Sequence, residues 1–152
     1  MDLNCTTFSS PVGVISLFEN NGSISSLQFQ SFSPSSNNPT LLRAKAQLLE
    51  YFAGTRKTFE LSLYLNGTPF QAKVWKAIKR IPYGQTVTYG ALANTLGTSP
   101  RAIGMTCAAN PTPILIPCHR VIGKNNNLTG YSAGKGIKTK RQLLFREENF
   151  NN

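Results

Sequence analysis

Acidic residues, histidine and cysteine are all scarce in this sequence. Six aspartates and glutamates stand against sixteen lysines and arginines, so the formal net charge of the 152 residues is +10. One histidine and three widely spaced cysteines lack the local four-ligand pattern of a structural zinc site, and an odd cysteine count does not suit a disulfide framework. We therefore expect free thiols and no metal.

Long apolar runs are also missing. No stretch approaches the roughly 18 apolar residues of a membrane-spanning helix, and the chain does not begin with a basic segment followed by an apolar block. These absences predict a cytoplasmic protein that makes no membrane contact. Hydrophobic residues make up 40% of the chain, which is enough to bury a core.

The positive charge is confined to one half of the chain. Residues 1–69 hold four basic and four acidic residues, whereas residues 70–152 hold twelve basic and two acidic ones. A solvated basic surface would explain an ordinary charge run. The asymmetry between the halves favours a polyanionic partner instead, and nucleic acid is the simplest choice.

Residues 1–66 are predicted to form a small α+β scaffold domain, because no reactive side chains gather there. The turn sequence Asn20-Asn21-Gly22 is typical of a hairpin, and Gly54 is placed to end a helix. The predicted elements are strands at 12–18 and 24–32, a helix at 41–52 and a strand at 59–65.

Residues 67–152 are predicted to form a second domain that contains a helix-turn-helix. Thr68-Pro69 begins one helix, with Phe70, Val74, Ile78 and Ile81 on its apolar face. Thr88 and Ser99-Pro100 can cap two short helices on either side of Gly97, with Ala93 and Ile103 buried. An ordinary helical hairpin would give the same pattern, but the basic charge favours DNA binding, with Arg101 reaching into a groove.

The remaining chain is predicted to hold a wing-like hairpin and a final helix. Val121-Ile122 and residues 128–131 would pair across GKNNN, and the helix would end in Glu147 and Glu148.

Cys118 and His119 are the candidate reactive pair. A free thiol is only a few per cent ionised at neutral pH and needs activation to become a nucleophile. Neighbouring side chains of an extended segment point to opposite faces, so the histidine would act through a water, with Glu147 or Glu148 to orient it. From spacing alone, a buried structural thiol is slightly favoured. Cys5 and Cys107 are interpreted as structural.

The motif PCHRV at 117–121 is preceded by NPTPILI and followed thirteen residues after its cysteine by YS. Together with TYGALA and SPRAIG upstream, it resembles the active-site segment of the O6-alkylguanine-DNA alkyltransferases, the methylated-DNA–protein-cysteine methyltransferases. The resemblance runs from about Phe70 to Glu147. It implies an α+β fold with a ribonuclease H-like N-terminal domain and a winged helix-turn-helix-like C-terminal alkyltransferase domain.

The resemblance also implies a role for individual residues. Cys118 would accept the alkyl group, with His119 acting through water and Glu147 behind it. Tyr89 would give a proton to the departing guanine, and Asn110 would brace the turn before the cysteine. Arg101 and Ala102 would contact the DNA, and Arg101 would fill the space that the extruded nucleotide leaves. The pocket for the base would be formed by Val121, Tyr131, Ser132, Ala133 and Lys140.

The implied reaction is one irreversible transfer of an alkyl group from O6-alkylguanine, or from O4-alkylthymine, in double-stranded DNA to Cys118 of a monomer. Displacement at a saturated carbon needs a soft nucleophile and a stabilised leaving group, so no cofactor is expected. Two departures are an AGKGIKT segment about two residues longer than usual, which bears on Lys140, and alanine instead of glycine at position 133.

Three alternatives compete with this interpretation. A non-catalytic lesion-binding relative would lack the acceptor cysteine, which is present here. A winged-helix regulator would use Cys118 only structurally. A cysteine hydrolase is disfavoured by the adjacent histidine and by a basic surface suited to phosphates.

Overall fold

The computed structural model describes residues 4–33, 35–36 and 38–150 of the chain. The chain divides into two compact units between Leu65 and Asn66. Within the described residues, no helix is both long and apolar enough to cross a membrane.

The first unit is built on a three-stranded antiparallel sheet. Its strands, in spatial order, are β1 (Cys5–Ser10), β2 (Gly13–Asn20) and β3 (Ser23–Gln28). Asn21 and Gly22 both have positive φ and join β2 to β3 by the predicted tight turn. The sequence did not predict β1, because four of its six residues are serine or threonine and its apolar pattern is weak.

A single helix, α1 (Pro39–Ala53), packs against all three strands. The Asn38 side chain accepts hydrogen bonds from the first-turn amides, and Gly54 ends the helix with a φ of 82°. The predicted helix and its glycine terminator are therefore confirmed.

The strand predicted at 59–65 is wrong as a full strand. Its apolar residues are less exposed than the polar residues between them, as predicted, but only one bridge forms, between Ile24 and Leu63. The Ile24 amide and carbonyl bond to Ser62 and Tyr64 at 2.8 Å each. Alternation predicts which face is buried, whereas a ladder also needs a neighbouring strand in register along its length.

The second unit is mostly helical. Its elements are α2 (Pro69–Lys79), β4 (Val87–Thr88), α3 (Tyr89–Leu96), α4 (Pro100–Ala108), a 3-10 helix (Cys118–Arg120), β5 (Val121–Ile122), a second 3-10 helix (Lys124–Asn126) and α5 (Ile137–Phe150). Helix α2 begins with the predicted capping box of Thr68 and Gln71. Phe70 was predicted to be buried, yet it is 38% exposed, while Trp75 is buried and donates from Nε1 to the Thr106 carbonyl at 3.0 Å.

Helices α3 and α4 form the predicted helix-turn-helix. Thr88 and Ser99 cap them through side-chain oxygens, and Gly97 between them has a φ of 69°. Ala93 and Ile103 are buried, and the two helices pack against each other. The pattern of caps, turn glycine and small residue therefore predicted this motif correctly.

The predicted wing-like hairpin is wrong. β5 pairs in parallel with β4, with Val87 opposite Val121. Residues 128–131 form no strand, and the amide of Gly123 instead bonds to the Asn127 carbonyl at 2.7 Å, which closes a tight loop. A partner from β4, distant in sequence, has replaced the local one that the spacing favoured.

Candidate active site

The turn that leads to Cys118 is held by Asn110. Its Nδ2 donates to the Ile116 carbonyl at 2.8 Å and to Sγ of Cys118 at 3.1 Å. Its Oδ1 accepts from the Thr112 amide at 2.9 Å. Ile114 has a φ of 76°, which costs a β-branched residue roughly 1–3 kcal/mol. The surrounding bonds and packing must hold this segment in one conformation to sustain that strain.

Cys118 and His119 lie on one turn of 3-10 helix instead of the extended segment that we expected. The Pro117 carbonyl accepts the Arg120 amide at 2.9 Å and closes the turn. Successive side chains on such a helix diverge by about 120°, so the thiol and the imidazole still point in different directions. Both side chains are buried.

His119 is bonded to Glu147 of α5. Burial lowers the pKa of His119, although its hydrogen bond to Glu147 acts in the opposite direction. The neutral imidazole therefore carries its proton on Nε2, which donates to Oε2 of Glu147 at 2.6 Å. The other ring nitrogen, Nδ1, is buried and has no hydrogen-bond partner among the described residues. Nδ1 is thus positioned as an acceptor.

Arg120 completes this cluster, and the sequence analysis missed it. Its Nε and Nη2 donate to the two carboxylate oxygens of Glu147 at 2.8 and 3.0 Å, and its Nη1 donates to the Ile81 carbonyl at 2.7 Å. Burial alone would raise the pKa of Glu147, but the bonds from His119 and Arg120 outweigh it and hold that pKa well below its usual range. Glu147 is therefore an ionised, buried carboxylate.

Lys140 joins three segments of the second unit. Its Nζ donates to the carbonyls of Val121 and Thr129 at 2.6 and 2.9 Å, and to the Tyr89 hydroxyl at 3.3 Å. The Tyr89 hydroxyl itself donates to the Thr129 carbonyl at 2.9 Å. Burial lowers the pKa of Lys140 to about 8, against the opposing influence of Cys107 and Cys118. Lys140 thus contacts both Tyr89 and Val121, although the AGKGIKT segment before it was expected to be longer than usual.

Two tyrosines lie near the Cys118 sulfur. Burial raises the pKa of Tyr89, and negative charge on Cys107 or Cys118 would raise it further. Tyr131 is affected in the same way by burial and by Cys118, and its buried hydroxyl has no hydrogen-bond partner within the described part of the chain. Ser132 and Ala133 follow it, the first exposed and the second half-buried.

Arg101 and Ala102 lie in the first turn of α4. Arg101 is exposed, whereas Ala102 is half-buried and donates its amide to Oγ of Ser99 at 3.1 Å. Met105, one turn further along α4, is 66% exposed. The outer face of α4 therefore presents one cation and one flexible apolar side chain.

Cys107, interpreted from the sequence as structural, is buried in the last turn of α4, and its backbone carbonyl accepts from the Asn110 amide at 3.2 Å. The sequence signal that could have placed Cys107 near the site was its position one helical turn before Asn110, the residue expected to brace the turn before Cys118. Among the described residues, no group of three or more His, Cys, Asp or Glu side chains is arranged to hold a metal ion.

These features define a class of protein: a helix-turn-helix unit in which a buried thiol lies beside a histidine bonded to an ionised carboxylate. Family models agree with that class over most of the chain. Residues 69–149 match the DNA binding domain of 6-O-methylguanine DNA methyltransferase, and residues 3–65 match its ribonuclease-like domain. The chain therefore belongs to the 6-O-methylguanine DNA methyltransferase family.

Individual relatives support this assignment. The constitutive methylated-DNA–protein-cysteine methyltransferase of Bacillus subtilis (strain 168) is 54% identical over 99 residues, which cover 64% of this chain and 60% of that protein. The methylated-DNA–protein-cysteine methyltransferase of Mycobacterium tuberculosis (strain H37Rv) is 41% identical over 151 residues, which cover 93% of this chain and 90% of that protein.

Solved structures give the same result. The crystal structure of the Mycobacterium tuberculosis O6-methylguanine methyltransferase matches with a TM-score of 0.86 and 38% identity, covering 97% of this chain and 94% of that one. A structure of the Mycobacterium tuberculosis protein in complex with DNA matches with a TM-score of 0.85, 38% identity and the same coverage. The expected α+β fold with a ribonuclease-like first part is therefore confirmed.

Proposed function

We propose that this protein repairs DNA by transferring the alkyl group of O6-alkylguanine, and of O4-alkylthymine, to its own Cys118. One observation carries the proposal: Cys118 is buried in a helix-turn-helix unit, in contact with Asn110 and next in sequence to the His119–Glu147 pair. A structural thiol would not need an unpaired imidazole nitrogen at the adjacent residue.

Activation of the thiol begins with His119. Its Nδ1 would take the Cys118 proton through one bridging water, since the two side chains diverge. Glu147 stabilises the imidazolium that forms, and Arg120 keeps the carboxylate ionised and in place. The Cys118 thiolate attacks the alkyl carbon, a sulfur–carbon bond forms, and the carbon–oxygen bond to guanine breaks.

The departing guanine takes up the electron pair of the broken bond and needs a proton. The Tyr89 hydroxyl would supply it, because burial keeps this phenol protonated at neutral pH. The Lys140 ammonium bonded to Tyr89 would offset the negative charge left on the phenolate oxygen. The thioether on Cys118 has no route back to a thiol here, so each molecule acts once.

The target base must leave the duplex to reach a buried thiol, at a cost of roughly a few kcal/mol. Arg101, with Ala102 behind it on the exposed first turn of α4, would occupy the vacated space and offset part of this cost. Val121, Tyr131, Ser132 and Ala133 would form the base pocket. Base extrusion, and hence a double-stranded substrate, is part of the proposal.

We further propose that residues 67–152 carry both DNA binding and transfer, while residues 1–66 serve as a scaffold. The basic residues of the second half would meet the phosphates. The protein would act as a monomer. A reducing compartment such as the cytoplasm would keep the acceptor as a free thiol.

Mass spectrometry of the protein after incubation with a duplex that carries one O6-methylguanine tests the proposal. We expect one added methylene on the Cys118 peptide, no turnover beyond one equivalent, and no transfer by Cys118→Ser. The matched control is Cys5→Ser, which should transfer normally. An unmodified Cys118 in protein that binds this duplex would favour a lesion-binding or regulatory role instead.

A further inference from the structure

Helix α4 is held in place by contacts on its inner face. Ile103 is 0% exposed there, and the Thr106 carbonyl accepts from Nε1 of Trp75 at 3.0 Å. The Thr106 hydroxyl also donates to the Ala102 carbonyl at 2.9 Å. Because these contacts lie on the side of the helix that packs on the protein, the opposite side is presented to solvent in a fixed orientation.

Arg101, Met105 and Ala108 form that outer face of α4. Their spacing of four and then three residues puts them on one side of a helix, and all three are exposed. Met105 is 66% exposed, although methionine is mostly buried in folded proteins. The helix sequence PRAIGMTCA contains one charged side chain, that of Arg101, and no acidic residue. The outer face therefore combines one cation with an apolar surface one turn further along.

Gly104 lies next to Met105 and leaves room above the helix backbone. A glycine in a helix interior is destabilising relative to alanine. Apart from its chain neighbours and the backbone of its own helix, no described heavy atom lies within 4 Å of the point that a Cβ would occupy at position 104. Packing within the described chain therefore does not require this glycine, whereas the close approach of a ligand to the backbone does.

We propose that Met105 is a DNA contact that packs against the deoxyribose sugars beside the point where Arg101 enters the duplex. The inference deepens the proposed function and rests on the DNA contact assigned there to Arg101. A thioether has no hydrogen-bond donor and is a weak acceptor, so it cannot distinguish the edges of the bases. A sugar is present at every nucleotide, so this contact adds affinity without adding sequence preference.

The charge and size of the surface favour DNA over a second protein. A stable protein interface buries about 800 Å² on each partner around an apolar centre. Met105 instead stands alone between Arg101 and Ala108. Residues 70–152 hold twelve basic and two acidic residues, which attracts a polyanion and opposes association with a second copy of this chain.

Equilibrium binding to an undamaged duplex at several salt concentrations is the first test. Met105→Ala removes the apolar side chain, Met105→Leu retains an apolar one, and Met105→Gln has a similar length with a polar end. Phe145→Ala is the matched control, because Phe145 lies on α5 and is 65% exposed. Circular dichroism checks that each variant is folded.

We expect Met105→Ala and Met105→Gln to bind about fivefold more weakly than the wild type at each salt concentration, because they bury less apolar surface. The slope of log K against log salt should stay the same, since no phosphate contact is lost. Met105→Leu should stay within about twofold of the wild type, and Phe145→Ala should match it. Unchanged binding by Met105→Ala overturns the contact, and a shallower slope overturns its apolar nature.

Duplexes of different composition test the sugar contact itself. The loss caused by Met105→Ala should be equal in A·T-rich and G·C-rich duplexes, because both present the same deoxyribose. A loss confined to one of them overturns packing on the sugars and indicates contact with a base.

Oxidation by hydrogen peroxide shows directly whether DNA covers Met105. Methionine is converted to its sulfoxide, which adds one oxygen to the mass of the Met105 peptide. A saturating undamaged duplex should slow this oxidation, and salt that dissociates the complex should restore it. An equal rate with and without DNA overturns the proposal. No measurement on Met105 needs alkyl transfer, so a wild type that binds DNA without transferring would sink the proposed function and still decide this contact.

Discussion

The imidazole of His119 and the carboxylate of Glu147 are 28 residues apart in sequence, yet they share a buried 2.6 Å hydrogen bond between Nε2 and Oε2. Arg120 binds the same carboxylate through two nitrogens. One glutamate therefore orients the imidazole beside the acceptor and also anchors α5 to the 3-10 helix that carries Cys118.

Replacing Glu147 should affect activity and stability together. In Glu147→Gln the Arg120 guanidinium loses its buried counter-charge, which should lower the free energy of unfolding by about 3–5 kcal/mol. Loss of imidazolium stabilisation should slow transfer by roughly 100-fold or more. Urea unfolding and single-turnover kinetics measure the two effects. Exposed Glu148 provides the control, and a Glu148→Gln variant as impaired as Glu147→Gln would contradict this role.

Stability should fall as the pH is lowered from 7 to 4. His119 has a folded pKa below its ordinary value of 6.5, and Glu147 has one below 4.5. The unfolded chain therefore binds more protons below each ordinary value, and the folded state loses stability there. Urea midpoints at several pH values measure this loss of stability. In Glu147→Gln the midpoint should depend less on pH below about pH 5. A midpoint that rises on acidification would contradict the sign.

Arg101 should matter only when a base must leave a duplex. Arg101→Ala should slow transfer from duplex O6-methylguanine by about tenfold or more, because nothing then fills the vacated space. Transfer from the free base O6-methylguanine should be unchanged, since no extrusion is needed. Arg101→Lys separates charge from shape: it should retain duplex affinity but recover transfer only in part. Equal losses on duplex and free base would contradict a role in extrusion.

Deprotonation of Lys140 should determine how the rate of alkyl transfer depends on pH in the alkaline range. With a pKa of about 8, it loses its charge above that pH, so wild-type transfer should decline there. Lys140→Met should also lower the free energy of unfolding by about 1–3 kcal/mol, because the carbonyls of Val121 and Thr129 lose a buried donor. Lys140→Arg is the control. It cannot deprotonate in this range, so its alkaline decline should disappear. If the transfer rate of Lys140→Arg still declines at alkaline pH, the decline is caused by the titration of another group.

Local signals predicted the helices of the second unit well. Caps such as Thr68, Thr88 and Ser99 act on amides within three residues, so the sequence alone contains both partners of each bond. The same holds for the Asn21-Gly22 turn and for Gly54. The hairpin predicted after Val121 failed for the opposite reason, because β5 pairs with β4, which is distant in sequence, instead of with the residues that follow it.

The sequence by itself determined that a thiol and an imidazole would stand side by side on a basic, helix-turn-helix half, because adjacency, charge and capping are written in short stretches of chain. Only the tertiary structure decided that Glu147 meets His119 and that Arg120 shares that carboxylate. Those contacts join separate helices and turns. They depend on how the buried faces pack, which no local pattern specifies.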